Sequence, residues 1–348
     1  MMTFRQFAAG QASVPTAVAW YLSDLGEARG KQELFTHQSP QKLKALREHA
    51  LIESAVSSSR IEGVVVDEAR VGTLVFGTPL LRDRDEEELS GYRDALRLIH
   101  EQGAALAITE DTILRLHALV RGTIADAGRY KERDSDIIET YPDGRRRVRF
   151  RTVPAAQTPG AMAELLEMWR ACIEERWVPP PVALAAFGLD FLCIHPFRDG
   201  NGRVSRLLLV LQCYHLGYEV GRYISLERLI EHHKERYYET LERSSVQWHD
   251  AKHDPWPYIN HVLYILKAAY HEFEERLGQI ATPRGAKTEM VIDAIHKAPN
   301  TFRISELQRA CPAVSIDLIR RTLRKLRQAG QLACEGMGRG ARWRKTGR

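Results

Sequence analysis

The residues with the clearest chemical potential are consecutive: His195-Pro196-Phe197-Arg198-Asp199-Gly200-Asn201-Gly202-Arg203-Val204-Ser205-Arg206. A histidine is a base near neutral pH. Gly200, Asn201 and Gly202 can turn successive backbone N–H groups toward one point. A helix beginning near Arg203 would aim its N-terminus at the same point. Both features favour an anion, most naturally phosphate. Arg203 and Arg206 share one helix face, so both can reach phosphate oxygens. Asp199 is the one carboxylate of the loop. Beside phosphates its best use is as a ligand to Mg²⁺, which takes one or two carboxylates plus phosphate oxygens and waters. A base, a phosphate cradle, a metal ligand and two cations equip a site for phosphoryl or nucleotidyl transfer, where positioning and charge stabilisation supply most of the catalysis. Singly, a histidine after an apolar helix is ordinarily structural and a Gly-x-Gly is a turn. The weight lies in one stretch that serves a single chemical scheme.

Helices must position this loop. The segment 182–194 (VALAAFGLDFLCI) is apolar nearly all round and reads as the central helix of a bundle. Pro196 disfavours helix at the residue before it, which places His195 at a rigid helix end. Residues 41–59, 86–102, 109–121 and 161–176 also read as helices, with Thr109 and Asp111 marking a start. One stretch departs from helix: DIIETYPDGRRRVRFR, residues 136–151, is β-rich on both sides of Pro142-Asp143-Gly144 and predicts a hairpin with a very basic second arm. A lone hairpin is marginal in water, so it must lean on something. His249 and His253 lie among Asp and Pro residues that read as a loop rather than a metal-binding helix face.

The loop matches every specified position of HxFx(D/E)GNGRxxR, and the chain over roughly 40–275 resembles the Fic (filamentation induced by cyclic AMP) family. That resemblance implies an all-helical core that moves AMP from ATP to a Ser, Thr or Tyr hydroxyl of a protein. His195 would be the general base, suited by a pKa near operating pH. Asp199 would hold Mg²⁺ on the α- and β-phosphates. The nucleotide would be bound by Gly200, Asn201, Gly202, Arg203, Val204, Ser205 and Arg206, with Arg203 and Arg206 neutralising the β- and γ-phosphates and Phe197 buried beneath. Tyr237-Tyr238 is similar to the family's YYxxL and would flank the adenine. Ser58-Ser59-Arg60-Ile61-Glu62-Gly63 fits the inhibitory motif (S/T)xxxE(G/N), in which Ser58, Glu62 and Gly63 fill the defined places. If Glu62 reaches Arg206, it occupies the partner of the γ-phosphate and misplaces the nucleotide. The hairpin falls where the family has its target-docking flap, with Ile137, Ile138, Val148 and Phe150 as docking residues and strand addition as the mode. Its arginines (Arg145, Arg146, Arg147, Arg149, Arg151) read as a solvated arm in preference to a surface for an acidic target. Gly202 stands where the phosphotransferase branch has Lys.

Composition bounds the rest. The 348 residues carry 44% hydrophobic and 27% charged side chains, a globular composition at a length of roughly two domains. The net charge of +5 hides an asymmetry: residues 284–348 hold 15 Lys and Arg against 5 Asp and Glu, a net of +10, which leaves −5 for residues 1–283. The basic tail reads as helix, short helix, turn, helix and a Gly-rich strand pair, an order that resembles a winged helix-turn-helix. Its third helix, SIDLIRRTLRKLRQA, is capped by Ser315, with Ile319, Leu323 and Leu326 as an apolar stripe and Arg320, Arg321, Arg324, Lys325 and Arg327 around it. The expected wing, 336–344, carries Arg339, Arg342 and Arg344. The expected fold is thus mainly α: an N-terminal helical region (1–100) with the inhibitory motif, a Fic-type core (101–277) with a β-hairpin flap, a linker near 278–285, and a winged helix (286–348). Five scattered cysteines without a CxxC pair argue against disulfides and structural zinc. No run of apolar residues is long enough for a membrane span and the start lacks a signal-peptide pattern, so a cytoplasmic protein is expected. The expected partners are ATP, Mg²⁺, a hydroxyl-bearing protein that includes the chain itself, DNA through the tail, and a second copy in a homodimer. Three rivals use the same residues: a DNA-binding regulator whose core senses nucleotide, the same site with another nucleotide donor, and an enzyme that also removes AMP.

Overall fold

The computed structural model describes residues 2–11, 13–36, 40–64, 66–77, 81–140, 143–279, 286–311, 314–336 and 341–346. The chain divides into two units, 1–277 and 278–348.

The first unit runs through α1 (Thr3–Ala8), α2 (Thr16–Thr36), α3 (Pro40–Ile61), α4 (Glu68–Phe76), α5 (Arg84–Gln102) and α6 (Glu110–Arg121). The strands β1 (Ile137–Thr140) and β2 (Arg146–Phe150) follow. Then come α7 (Thr158–Glu175), α8 (Pro180–Ile194), α9 (Asn201–His215), α10 (Leu226–His232), α11 (Lys234–Ser245) and α12 (Trp256–Gln279). Local chemistry sets several starts. The side chains of Asp67, Asp83, Thr109 and Ser225 each accept a backbone N–H of the turn they open, which satisfies donors that a helix leaves orphaned. From Pro181 to Ile194, every residue of α8 except Gly188 is buried. A helix that is apolar on all faces has to sit inside, and α8 does so between α7 and α9. α5 packs between α3 and α6.

The hairpin pairs Ile138 with Val148 and Ile137 with Phe150, with a bulge between Ile137 and Ile138. Gly144 takes φ 82°, as its turn requires; Pro142 lies outside the described residues. The hairpin leans on the α11–α12 side of the bundle. Phe150 packs on the rings of His249 and Trp248 at 5.4 and 6.3 Å. Arg147 and Arg149 reach Glu242 of α11 at 2.7 and 3.3 Å. The arm that reads as solvated is therefore, at these two positions, tied down.

The second unit contains α13 (Ala286–Lys297), β3 (Thr301–Phe302), α14 (Ile304–Ala310), α15 (Ile316–Gln328), β4 (Leu332–Glu335) and β5 (Arg342–Lys345). Its antiparallel sheet has the order β3-β5-β4. Val291, Ile295, Phe302, Leu307, Ile319, Leu323 and Trp343 form its own core. The two-residue strand β3 has no sequence signal; burial of Phe302 opposite Trp343 creates it. Residues 280–285 of the expected linker and Arg339 of the expected wing lie outside the described residues. Among the described residues, no helix is long and apolar enough to cross a membrane. The cysteines are free.

Candidate active site

The end of α8 sets His195. Its N–H bonds Phe191 O at 2.9 Å, and its backbone turns left-handed at φ 52°, ψ 62°. A non-glycine residue there stores strain and must be held from outside. Several groups hold the loop that follows. Asn201 accepts the Phe197 N–H through Oδ1 (2.9 Å) and donates through Nδ2 to Phe197 O (2.8 Å). Phe197 is fully buried and stacks on the ring of His117 at 3.7 Å. The Gly128 N–H donates to His117 Nδ1 at 3.0 Å, so Nε2 carries the proton and donates to Asp199 O at 3.1 Å. Gly200 then takes φ 84° and opens α9, whose first N–H groups have no partner inside the helix. The cradle at the N-terminus of α9 is thus formed by backbone, and the side chain of Asn201 is spent closing the loop.

Charges around the loop are arranged in two groups. In the first, Glu88 is buried and meets Arg203 at 2.7 Å, Arg84 at 3.0 Å and Arg121 at 3.3 Å. Arg121 also meets Asp199 at 2.5 Å. Burial opposes ionisation of Asp199, but Arg121, Arg203, the Gly200 N–H and Arg84 outweigh it and hold its pKa below the usual carboxylate value. Asp199 remains half-exposed, 50% by side chain. A single ionised carboxylate beside a phosphate cradle fits a Mg²⁺ that arrives with a triphosphate. Among the described residues no cluster of three or more His, Cys, Asp or Glu is gathered for a resident metal.

The second group lies in a cleft of about 330 Å³ whose wall includes His195, Gly202, Arg206, Glu62, Tyr237 and Tyr238. Ser58 lies near the end of α3, and Glu62 is the residue at which that helix stops. The Val64 N–H bonds Ser59 O (3.0 Å) and the Gly63 N–H bonds Arg60 O (3.1 Å), with Gly63 at φ 85°. These are the paired bonds of a glycine-terminated helix, and they fix Glu62 over α9. Arg206 donates to Glu62 Oε1 at 2.8 Å, to Ser58 Oγ at 3.0 Å and to Ser58 O at 3.1 Å. Burial disfavours the Arg206 cation, and Glu62 more than compensates, so its pKa is raised. The fit leaves no room at Gly202: a Cβ there would stand 2.3 Å from Glu62 Oε1.

His195 Nδ1 lies 3.4 Å from Leu192 O. A carbonyl only accepts, so Nδ1 carries the proton and Nε2 keeps its lone pair. Burial lowers the imidazole pKa to about 4, with help from Lys131 and against the opposing pull of Leu192 O, Glu62 and Asp199. The ring is therefore a neutral base at pH 7. Tyr237 is buried and meets Tyr238 at a ring separation of 5.3 Å.

The structure gathers some of the expected site residues and separates others. Arg203 is 2% exposed by side chain, committed to Glu88, and does not line the cleft. Val204 is buried core, and Ser205 is turned to the interior beside Gln212 and Tyr258. On the hairpin, Ile137 and Phe150 line the cleft, whereas Ile138 and Val148 are 52% and 48% exposed. His117, Arg121, Glu88 and Lys131 support the loop and carry no motif signal. They lie 64 or more positions before His195, and only packing brings them to it.

The Fic/DOC family model matches residues 107–213. Two curated relatives, each named protein adenylyltransferase Fic, come from Drosophila persimilis and Drosophila pseudoobscura pseudoobscura. Each is 26% identical over 196 residues, 52% of this chain and 35% of theirs. The chain thus spans about a third of the length of these relatives. Among solved structures, a Fic family protein from Desulfovibrio desulfuricans G20 is similar with a TM-score of 0.61 at 22% identity, covering 97% of this chain and 98% of that one. Fic-1 of C. elegans (residues 134–508) gives 0.58 at 20% identity, covering 75% and 73%. These likenesses are likenesses of fold. The stretch that matches the Fic/DOC family model contains the His195 loop, and the fold of the chain is similar to that of solved Fic family proteins.

Proposed function

We propose that this chain transfers AMP from ATP to a protein hydroxyl and that Glu62 holds it inactive. The observation that carries the reading is one cleft in which a neutral His195 faces the start of α9 while Arg206 is ion-paired to Glu62 at 2.8 Å. In the reaction, His195 Nε2 takes the proton of a Ser, Thr or Tyr hydroxyl. The hydroxyl oxygen forms a bond to the α-phosphorus, and the bond from that phosphorus to the bridging oxygen breaks, releasing pyrophosphate. The N–H groups at the start of α9 cradle phosphate oxygens, and Arg206 receives the γ-phosphate once Glu62 is withdrawn. Asp199 would hold Mg²⁺, which neutralises charge on the phosphates. The names of the curated relatives support the donor and the target class.

The test uses ATP labelled on the α-phosphate with Mg²⁺ and three forms: wild type, Glu62→Gly and His195→Ala. Strong label on protein is expected in Glu62→Gly alone. Absence of label in all three would sink the transferase reading, and label from the γ-phosphate would make the protein a kinase. If Glu62 also positions water for AMP removal, wild type strips label from the product of Glu62→Gly.

A second reading concerns the second unit, which we infer to be a winged helix that contacts duplex DNA. Along α15, Ile319, Thr322 and Leu323 are buried, and Arg320, Arg321, Arg324, Lys325 and Arg327 face solvent. This basic face is the observation that favours it. Binding of the full chain to duplex DNA should weaken linearly in log salt. Each arginine of α15 replaced by Ala should reduce the slope by about one. A salt-independent response removes this role.

A further inference from the structure

Lys131 is 5% exposed, and the partners of its ammonium are neutral oxygens, Thr152 Oγ1 and Ile194 O. Burying an unpaired ammonium is costly, and a Lys in such a place shifts toward its neutral form or serves a purpose. Burial lowers the Lys131 pKa to about 8, although Asp134 and Asp136 oppose the shift. A methionine would fill the space without that cost. What the lysine touches explains its presence. Its backbone N–H donates to Pro196 O at 2.9 Å, and its Nζ donates to Ile194 O at 3.3 Å. One residue therefore grips the carbonyls on both sides of His195, the position where the backbone is strained at φ 52°. The same Nζ donates to Thr152 Oγ1 at 2.7 Å, and that hydroxyl donates to Ser135 O at 2.8 Å. Ser135 precedes β1 and Thr152 follows β2, so the grip joins the two feet of the hairpin to the histidine loop.

We propose that Lys131 is a positioning residue: it ties the carbonyls of Ile194 and Pro196, the residues on either side of His195, to the base of the hairpin, so that the imidazole meets an incoming hydroxyl in one orientation. The proposal rests on the transferase reading for its kinetic consequence and on the geometry alone for its effect on the histidine. The charges that face His195 are Lys131 from the segment before the hairpin, Glu62 from the end of α3, Asp199 from its own loop, and Arg198 and Arg206 in the same cleft.

The experiment uses the full chain carrying Glu62→Gly as parent, with Lys131→Met, Lys131→Arg and Thr152→Val added singly. Two quantities are read: kcat and KM for ATP, and the titration of the ¹³C-labelled His195 ring by NMR, assigned by its loss in His195→Ala. Lys131→Met should lower kcat by ten- to a hundredfold, the scale of a small misplacement at a reacting centre, and leave KM for ATP within threefold. Its His195 midpoint should rise, because a nearby positive charge is gone. Lys131→Arg should recover most of the rate, and Thr152→Val should lose several-fold in the same direction. If Lys131→Met does not fold, Thr152→Val alone decides. A kcat within twofold of the parent with an unmoved His195 titration overturns the proposal. If the parent itself transfers no AMP, the transferase reading fails, and the NMR titration still decides whether Lys131 holds the histidine.

Discussion

At His195 the whole of the proposed chemistry depends on which ring nitrogen is free and whether the ring is neutral. The Leu192 carbonyl fixes the first, and burial with Lys131 fixes the second. Because burial holds the folded pKa near 4 and not near the ordinary histidine value of about 6.5, the acid limb of kcat/KM in Glu62→Gly should fall well below pH 6.5. A pH–rate profile checks this, and a limb centred at an ordinary histidine value would show that the site is wetter than described. Arg206 illustrates how a residue read from a motif can have two masters. It can meet a γ-phosphate or Glu62, and here three of its hydrogen bonds go to Ser58 and Glu62.

Elements decide whether those residues can meet. α3 ends over α9 because Gly63 accepts a positive φ that a side chain would resist. Its body is anchored: Ser54 donates to buried Glu227 of α10 at 2.6 Å, and Glu53 meets Arg228 at 3.3 Å. The helix that carries Glu62 is thus held along its length, which keeps the carboxylate over Arg206. α5 and α6 approach so closely that a Cβ on Gly91 would stand 2.1 Å from Leu119 O. The obstacle is backbone, which cannot rotate away. Gly91→Ala should therefore destabilise the first unit by about 1–3 kcal/mol, the usual range for overpacking, as read from urea unfolding. It should also loosen the Glu88–Arg121 support of Asp199, which bridges the same two helices.

On the scale of the molecule, buried titratable groups predict how stability follows pH. Burial lowers the pKa of His100 to about 3 and of His117, His195, His253 and His261 to about 4. Between these values and about 6.5 the unfolded chain binds the extra protons, so stability falls as pH falls through that window. Glu86 and Glu87 have lowered pKa values, through Arg70 and through Thr123 respectively, and they act in the same direction at lower pH. Asp190 opposes them: burial raises its pKa to about 6, and between about 4 and 6 the folded state holds the extra proton. Five histidines against one aspartate give a net loss. Unfolding midpoints of the first unit in urea should drop from pH 7 to pH 5, and a flat response would contradict the buried histidines.

The sequence by itself determined much of this protein. The twelve residues from His195 to Arg206 are legible as one unit because they are local: a helix end, a turn and a helix start fit in one short stretch. The apolar circumference of α8, the hairpin around Gly144 and the opposite charge of the tail are legible for the same reason, since periodicity and charge are properties of neighbours in the chain. What the tertiary structure decided depends on distance in sequence. α1 gives no periodic signal in six residues; it forms where Asp190, 187 positions away, accepts the N–H of Thr3 at 2.8 and 2.9 Å. The pairing of Arg203 with Glu88, the turning of Arg149 onto Glu242, and the grip of Lys131 on both neighbours of His195 are likewise contacts between distant segments. A side chain's partner is set by packing once the chain has closed on itself, and no local pattern encodes which of several arginines will face a cleft and which will be spent holding it together.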